Sequence, residues 1–238
     1  MMTNEVNISG LVKSIKEDGG KYVATVEVVR RYGADRQSSN MYNIILPAGG
    51  GLARAFEWAQ EKNKPLYASF RGVLANRKFA EGDKYANHTL IVAMSVGAMG
   101  TGSDGQWASA AFAGEVKFAK FQYTAKGTPF VRVLLRNTRV VKVRGEEKEF
   151  SSSVFVTIYD VDEDQRDIFK KGTKMAVFGR LESYEASDSP GSYITTMTAD
   201  DYYPLGVLDV NAVADQTKVV EESIEDEVDE DDDDILAF

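Results

Sequence analysis

Between Val131 and Arg144 the side chains alternate in character. Odd positions read Val131, Val133, Leu135, Asn137, Arg139, Val141 and Val143, and even positions read Arg132, Leu134, Arg136, Thr138, Val140, Lys142 and Arg144. Successive side chains of a β-strand point to opposite faces. Such a strand therefore sets Arg132, Arg136, Lys142 and Arg144 on one outer surface and an apolar row on the other, provided Asn137 and Thr138 keep the register. Bases with no acid among them suit contact with phosphates. A second group, Arg30, Arg31, Tyr32, Arg36, Arg71, Arg77, Lys78, Phe79, Lys84 and Tyr85, mixes bases with aromatics. That mixture suits a single nucleic-acid strand, whose bases stack on flat rings for roughly 1–3 kcal/mol each while Lys and Arg follow the phosphates. A duplex does not offer its bases for stacking. Tyr22, Phe70, Phe112 and Phe178 are expected in the core, with Trp58 on a helix packed against it.

Several other chemistries are excluded. There is no cysteine and His88 is the only histidine, so disulfides, thiolate metal sites, cysteine nucleophiles and a histidine-based triad lack their residues. The run from Asp160 begins like a calcium loop, but Gln165 stands where glycine is needed and Lys171 where glutamate is needed. Gly49 to Gly51 lack the Gly-Lys-Ser/Thr of a nucleotide phosphate loop. Asp200 and Asp201 are adjacent, and neighbours on a strand diverge. No catalytic residue, metal ligand or cofactor is expected. With no apolar run of about 18 residues, the expectation is a membrane-free protein that stays in the cytoplasm.

The net charge of −9 conceals a division. Residues 206–238 hold 13 acids and one base, a net of −12, which leaves −9 + 12 = +3 for residues 1–205. From Glu221 to Asp234 there are 11 acids and no base. Such a block repels itself and is expected to be disordered. It ends in Asp231, Asp232, Asp233, Asp234, Ile235, Leu236, Ala237 and Phe238. A purely solvating tail gains nothing from Ile235, Leu236 and Phe238, whereas a partner's apolar pocket rimmed by bases would take both the tip and the acids.

The body repeats. Gly10 in NISGLVKSI answers Gly114 in AFAGEVKFAKF, KYVATVEVVRRY answers PFVRVLLRNTRVVKVR, and MYNIIL answers SVFVTIY. A helical stretch follows in each half, LARAFEWAQEKNK and EDQRDIFKKG, then YASFRGVL with Gly72 and MAVFGRLESY with Gly179, then YANHTLIVAMSV and YITTMTADDY. Gly10 to Gly72 is 62 residues and Gly114 to Gly179 is 65. Three strands, a helix and two strands predict a mainly β chain of two tandem five-stranded oligonucleotide/oligosaccharide-binding barrels, each with one helix. The expected boundaries are 1–98 for the first barrel, 99–108 for a Gly/Ser-rich linker, 109–205 for the second barrel and 206–238 for the acidic tail. Residues 1–98 carry 13 bases and 9 acids, and residues 109–205 carry 14 of each. That difference favours the first barrel for binding, and the basic run from Arg132 favours the second.

These stretches resemble the single-stranded DNA-binding proteins of bacteria and their phages. Asn4 or Asn7 before Gly10 matches an early NxxxxG pattern, and YASFRGVLANRKF matches a stretch in which Phe79 falls on a base-stacking position behind Arg77 and Lys78. KKGTKMAVFGRLESY resembles the same stretch, with Arg180 and with Tyr184 as the stacking candidate; Tyr42 and Phe155 lie near another stacking position. The acidic tail with its apolar tip is a separate match, departing only in Ala237 where proline is usual. The resemblance implies a non-enzymatic, sequence-nonspecific single-stranded DNA-binding protein of replication, recombination or repair, in a bacterial cytoplasm or encoded by a phage. It further implies recruitment of replication or repair proteins through Asp231–Phe238, and a homodimer. An RNA-binding barrel protein is the nearest neighbour. An interaction adaptor or DNA mimic acting through the tail is the rival from another class, and a carboxylate-metal nuclease comes third.

Overall fold

The computed structural model describes residues 3–18, 20–32, 36–47, 51–81, 84–102, 105–143, 146–161, 163–187 and 190–205. Within these, the side chains of residues 32, 36, 77–81, 84–87, 98, 141–143, 146, 148 and 163 are not described. The acidic tail lies outside the described residues.

Ten strands form among the described residues: β1 (Asn4–Asp18), β2 (Lys21–Tyr32), β3 (Arg36–Ile45), β4 (Tyr67–Glu81), β5 (Lys84–Gly100), β6 (Trp107–Tyr123), β7 (Pro129–Val143), β8 (Glu146–Tyr159), β9 (Lys174–Glu185) and β10 (Tyr193–Leu205). Apolar side chains recur at every second position and all turn inward: Val6 and Ile8 in β1, Ala24, Val26 and Val28 in β2, Val131, Val133 and Leu135 in β7. This period of two fits strands with one buried face. The order β1-β2-β3-β5-β4-β1 closes a five-stranded circuit, with α1 (Gly51–Glu61) between its third and fourth strands. Strands β6-β7-β8-β10-β9-β6 close a second circuit by the same order. In both, the third and fifth strands pair in parallel, Ile44 with Ile91 and Val156 with Met197. This is the barrel topology that the strand pattern predicts.

The four glycines of the repeat sit where one strand presses on another. A Cβ at Gly10 would overlap the carbonyl oxygen of Glu27, at Gly72 that of Val92 and at Gly179 that of Thr198, and at Gly114 it would lie 2.8 Å from that of Arg136. Around Gly10, β1 leaves β4, which it pairs with from Val6 to Leu11, and moves onto β2, which it follows to Asp18. Only a residue without a side chain lets the backbones come that close.

The two circuits are one compact body. Strand β1 pairs antiparallel with β6, so a single ten-stranded sheet runs from Asn4 to Leu205. Val6 faces Ala110, its own repeat equivalent by the 104-residue spacing that relates Gly10 to Gly114. A local two-fold axis therefore passes through that pair. Polar side chains complete the seam symmetrically. Asn40 Oδ1 accepts from the Ser183 N–H at 3.0 Å, and on the other side Asn76 Oδ1 accepts from the Ser153 N–H. The Tyr42 hydroxyl donates to the Leu181 carbonyl at 2.7 Å, and Arg30 Nη2 donates to the carbonyls of Ala108 and Leu181 at 2.6 and 2.8 Å. Removing the Tyr42 hydroxyl with Tyr42→Phe is expected to destabilise the body by about 1 kcal/mol in urea unfolding. Leu181 still accepts from Arg30 in that variant, which limits the cost.

The helical stretch of the second half is a 3-10 helix, Glu163–Phe169. Four expectations change. Phe70 and Phe112 are core, but Phe178 is 44% exposed, because Met175, Val177 and Leu181 take the inward parity of β9 and leave Phe178 outside, edge-on to Tyr203. Tyr22 is 38% exposed at the β1–β2 hairpin tip, opposite Glu17, and Trp58 is 49% exposed on α1. The Gly-rich stretch after Val96 is in part strand: β5 runs to Gly100, which pairs with Tyr67. Gln106, just before β6, is tied down as well, its Oε1 accepting from the Val29 N–H at 2.9 Å. No helix among the described residues is long and apolar enough to cross a membrane.

Candidate nucleic-acid interface

Along β7 the expected parity holds to Thr138. Val131, Val133 and Leu135 are fully buried and Asn137 nearly so, its amide donating to the Ala113 carbonyl at 2.7 Å, while Arg132, Leu134, Arg136 and Thr138 face outward. Asn137 keeps the register because its amide is satisfied inside, by Ala113 of β6 and, across the seam, by the Thr3 carbonyl at 3.3 Å. Beyond it Arg139 and Val140 are both exposed, Val140 by 61%, so alternation no longer sorts the side chains. The side chain of Lys142 and all of Arg144 lie outside what is described.

The outer face of β7 meets that of β8. Leu134 stands opposite Phe155, Arg136 opposite Ser153 and Arg132 opposite Thr157. The Arg132 guanidinium carbon lies 4.7 Å from the centre of the Phe155 ring, and Arg136 Nη2 donates to Ser151 Oγ at 3.1 Å. Phe155, Leu134, Ile194 and Tyr184 line a groove of about 530 Å³ with Arg136, Ser151, Ser153, Asn76 and Thr89. Tyr184 is 48% exposed. No acid is among the described residues lining it. Two aromatic rings beside two guanidinium groups can stack unpaired bases while neutralising phosphates. Leu134 and Ile194 were not singled out in the sequence, although Leu134 shares the parity of Arg132 and Arg136.

The same face of the first barrel has different chemistry. Pairing of Ile44 with Ile91 corresponds to Val156 with Met197, so Asn43 stands where Phe155 does. Cross-strand pairing then sets Val23, Thr25 and Glu27 against Arg132, Leu134 and Arg136. Glu27 Oε1 accepts from the Ser39 hydroxyl at 2.7 Å, and Oε2 lies 3.3 Å from Lys13 Nζ. The Ser39 hydrogen bond first, and then Lys13, hold the Glu27 carboxyl below the usual carboxylate range, with burial opposing them. A carboxylate replaces a guanidinium at that place.

The other candidates divide. Tyr42 is a correction: it is fully buried, with its hydroxyl spent on Leu181, because it shares the inward parity of Ile44. A base cannot reach it. Arg71 is exposed and pairs with Glu5 at 3.1 Å. Arg30, Arg31 and Arg180 come together elsewhere, around a separate cavity of about 910 Å³ at the seam of the two circuits. Arg77, Lys78 and Phe79 on β4 and Lys84 and Tyr85 on β5 belong to one antiparallel hairpin, with Phe79 opposite Ala86. Their side chains, like those of Tyr32 and Arg36, are outside what is described, as is the tip Asp231–Phe238.

No protein-family model matches the chain, and no curated protein matches it in sequence. Among the solved structures that match it, two cover most of it. A deletion mutant of the single-stranded DNA binding protein from Thermus aquaticus superposes with a TM-score of 0.61 at 15% identity, over 86% of this chain and 95% of that one. The wild-type protein from the same organism gives 0.59 at 16% identity, over 86% of this chain and 94% of that one. With so few identical residues the likeness is one of backbone, and the chain has the fold of that Thermus protein.

Proposed function

We propose that this chain binds single-stranded DNA without regard to sequence, in replication, recombination or repair, and catalyses no reaction. The observation that carries the reading is the groove in which Arg132 covers Phe155 beside Arg136 and Tyr184. It lies on a barrel of the same fold as a Thermus protein named for binding single-stranded DNA. In this reading residues 1–98 and 109–205 are two barrel domains joined at 99–108, and 206–238 is a disordered tail whose tip, Asp231–Phe238, recruits replication or repair proteins. A homodimer would bring four barrels together, in a bacterial cytoplasm.

The groove's chemistry supports a main platform on the second barrel, with Glu27 setting the first barrel's equivalent face against phosphates. The experiment is a titration of the full chain, and of a version ending at Leu205, with fluorescent oligo-dT, oligo-U and a matched duplex at several salt concentrations. Tight binding to oligo-dT and none to the duplex is expected, with a log-log salt slope of about −0.7 per phosphate contacted. Truncation should leave binding equal or tighter, since it removes a net −12 from the chain. Absence of binding by both versions would refute the reading and leave the acidic tail as the functional surface; oligo-U binding tighter than oligo-dT would assign the chain to RNA.

A further inference from the structure

The seam cavity is lined by Arg30 and Arg31 from β2, Tyr67 from β4, Gln106 and Trp107 at the entry to β6, and Arg180 from β9. Neither half alone supplies this wall. Three arginines line it and no described acid does. Arg30 is fixed by its two carbonyl acceptors, yet its Nη1 is buried without a hydrogen-bond partner, and no carboxylate pairs with it among the described residues. A guanidinium withdrawn from water without a counter-ion is costly, and a nearby anion recovers part of that cost. Arg180 Nε is buried too and makes no hydrogen bond, and its ion pairs with Glu182 and Asp200 are long, at 4.0 Å each. Arg31 is exposed.

The apolar part of the wall suits a ring. Trp107 is 47% exposed, although its backbone is held in the β1–β6 pairing opposite Ser9 and the adjoining Gln106 is anchored to Val29. An indole fixed at its base and open on its face is a platform for another π-system. We infer that the cavity is a second contact for a single-stranded oligonucleotide. A base stacks on Trp107 while Arg31 and Arg180 hold phosphates, and Arg30 supplies fixed positive charge from behind. The inference rests on the reading that the chain binds single-stranded DNA, and it adds a site that the two halves build jointly, apart from the Phe155 groove.

The chain has two tryptophans, Trp58 and Trp107. Trp58 is half-exposed on α1, so Trp58→Phe leaves Trp107 as sole emitter with little risk to the fold. The full chain carrying Trp58→Phe is titrated with an oligo-dT of about 30 nucleotides, enough for two barrels at roughly 4–16 nucleotides each, while anisotropy of a label on the DNA reports binding itself. Quenching of Trp107 in step with the anisotropy is expected. The double variant Arg31→Gln, Arg180→Gln should bind about tenfold more weakly, with a salt slope shallower by about 1.4, or two phosphate contacts. If the anisotropy shows tight binding while Trp107 emission stays constant and the double variant binds like its parent, the cavity is not a contact and the groove reading stands. If no binding registers by either signal, both readings fall.

Discussion

Phe155→Ala should weaken binding of oligo-dT by roughly 5- to 150-fold, the equivalent of about 1–3 kcal/mol for one lost stacking platform. The ring has two tasks at once, since it lies under the Arg132 guanidinium and forms a wall of the groove. Removing it takes away the surface for a base and lets Arg132 swing from where a phosphate would meet it. The fold should survive, because Phe155 is on the outer face of β8 while Val154 and Val156 carry the core. Asn43→Ala, at the equivalent position of the first barrel, should change affinity less than about twofold. Anisotropy with labelled oligo-dT at fixed salt measures both, and equal losses from the two variants would mean that the barrels share the work.

Gly179→Val should cost about 3 kcal/mol of stability, seen as a fall of roughly 6–12 °C in the midpoint of thermal unfolding for a body of this size. The added Cβ would overlap the Thr198 carbonyl oxygen and lie 2.9 Å from both Ala199 Cα and Asp200 N. All three are backbone atoms of the paired strand β10, next to a break in the β9–β10 register. No rotamer change relieves such a clash. Gly51→Ala is the control: a Cβ there meets nothing within 4 Å, and the residue opens α1. It should unfold at or above the parent's temperature, since alanine favours the helix.

The barrels were legible because their determinants are local and repeated. Alternating apolar residues need no knowledge of the partner strand, and Gly10, Gly72, Gly114 and Gly179 mark the crossings as plainly in sequence as in space. The outward placement of Arg132 and Arg136 was legible for the same reason. The seam was not. Tyr42 has the composition of a stacking residue, and only its hydrogen bond to Leu181, 139 positions away, shows where it belongs. Asn4, Asn40, Asn76 and Asn137 look like ordinary surface amides until the two halves meet and each finds a partner across the seam, the Ser152 hydroxyl for Asn4 and backbone groups for the other three. Phe178 was misplaced by its size alone, since on β9 its parity decides.

The pairing of β1 with β6 is an antiparallel contact between equivalent strands of the kind that joins two identical subunits, yet here both strands lie on one polypeptide. Two separate chains would come apart on dilution, because their contact is governed by protein concentration. Tethered halves meet at an effective concentration set by the short connection from Gly100 to Trp107. The body should therefore keep its seam at the lowest concentrations at which the protein exists. Freed from identity, each side of the axis can also change alone: Glu27 on one and Arg136 on the other occupy a position that a true two-fold would force to be the same residue.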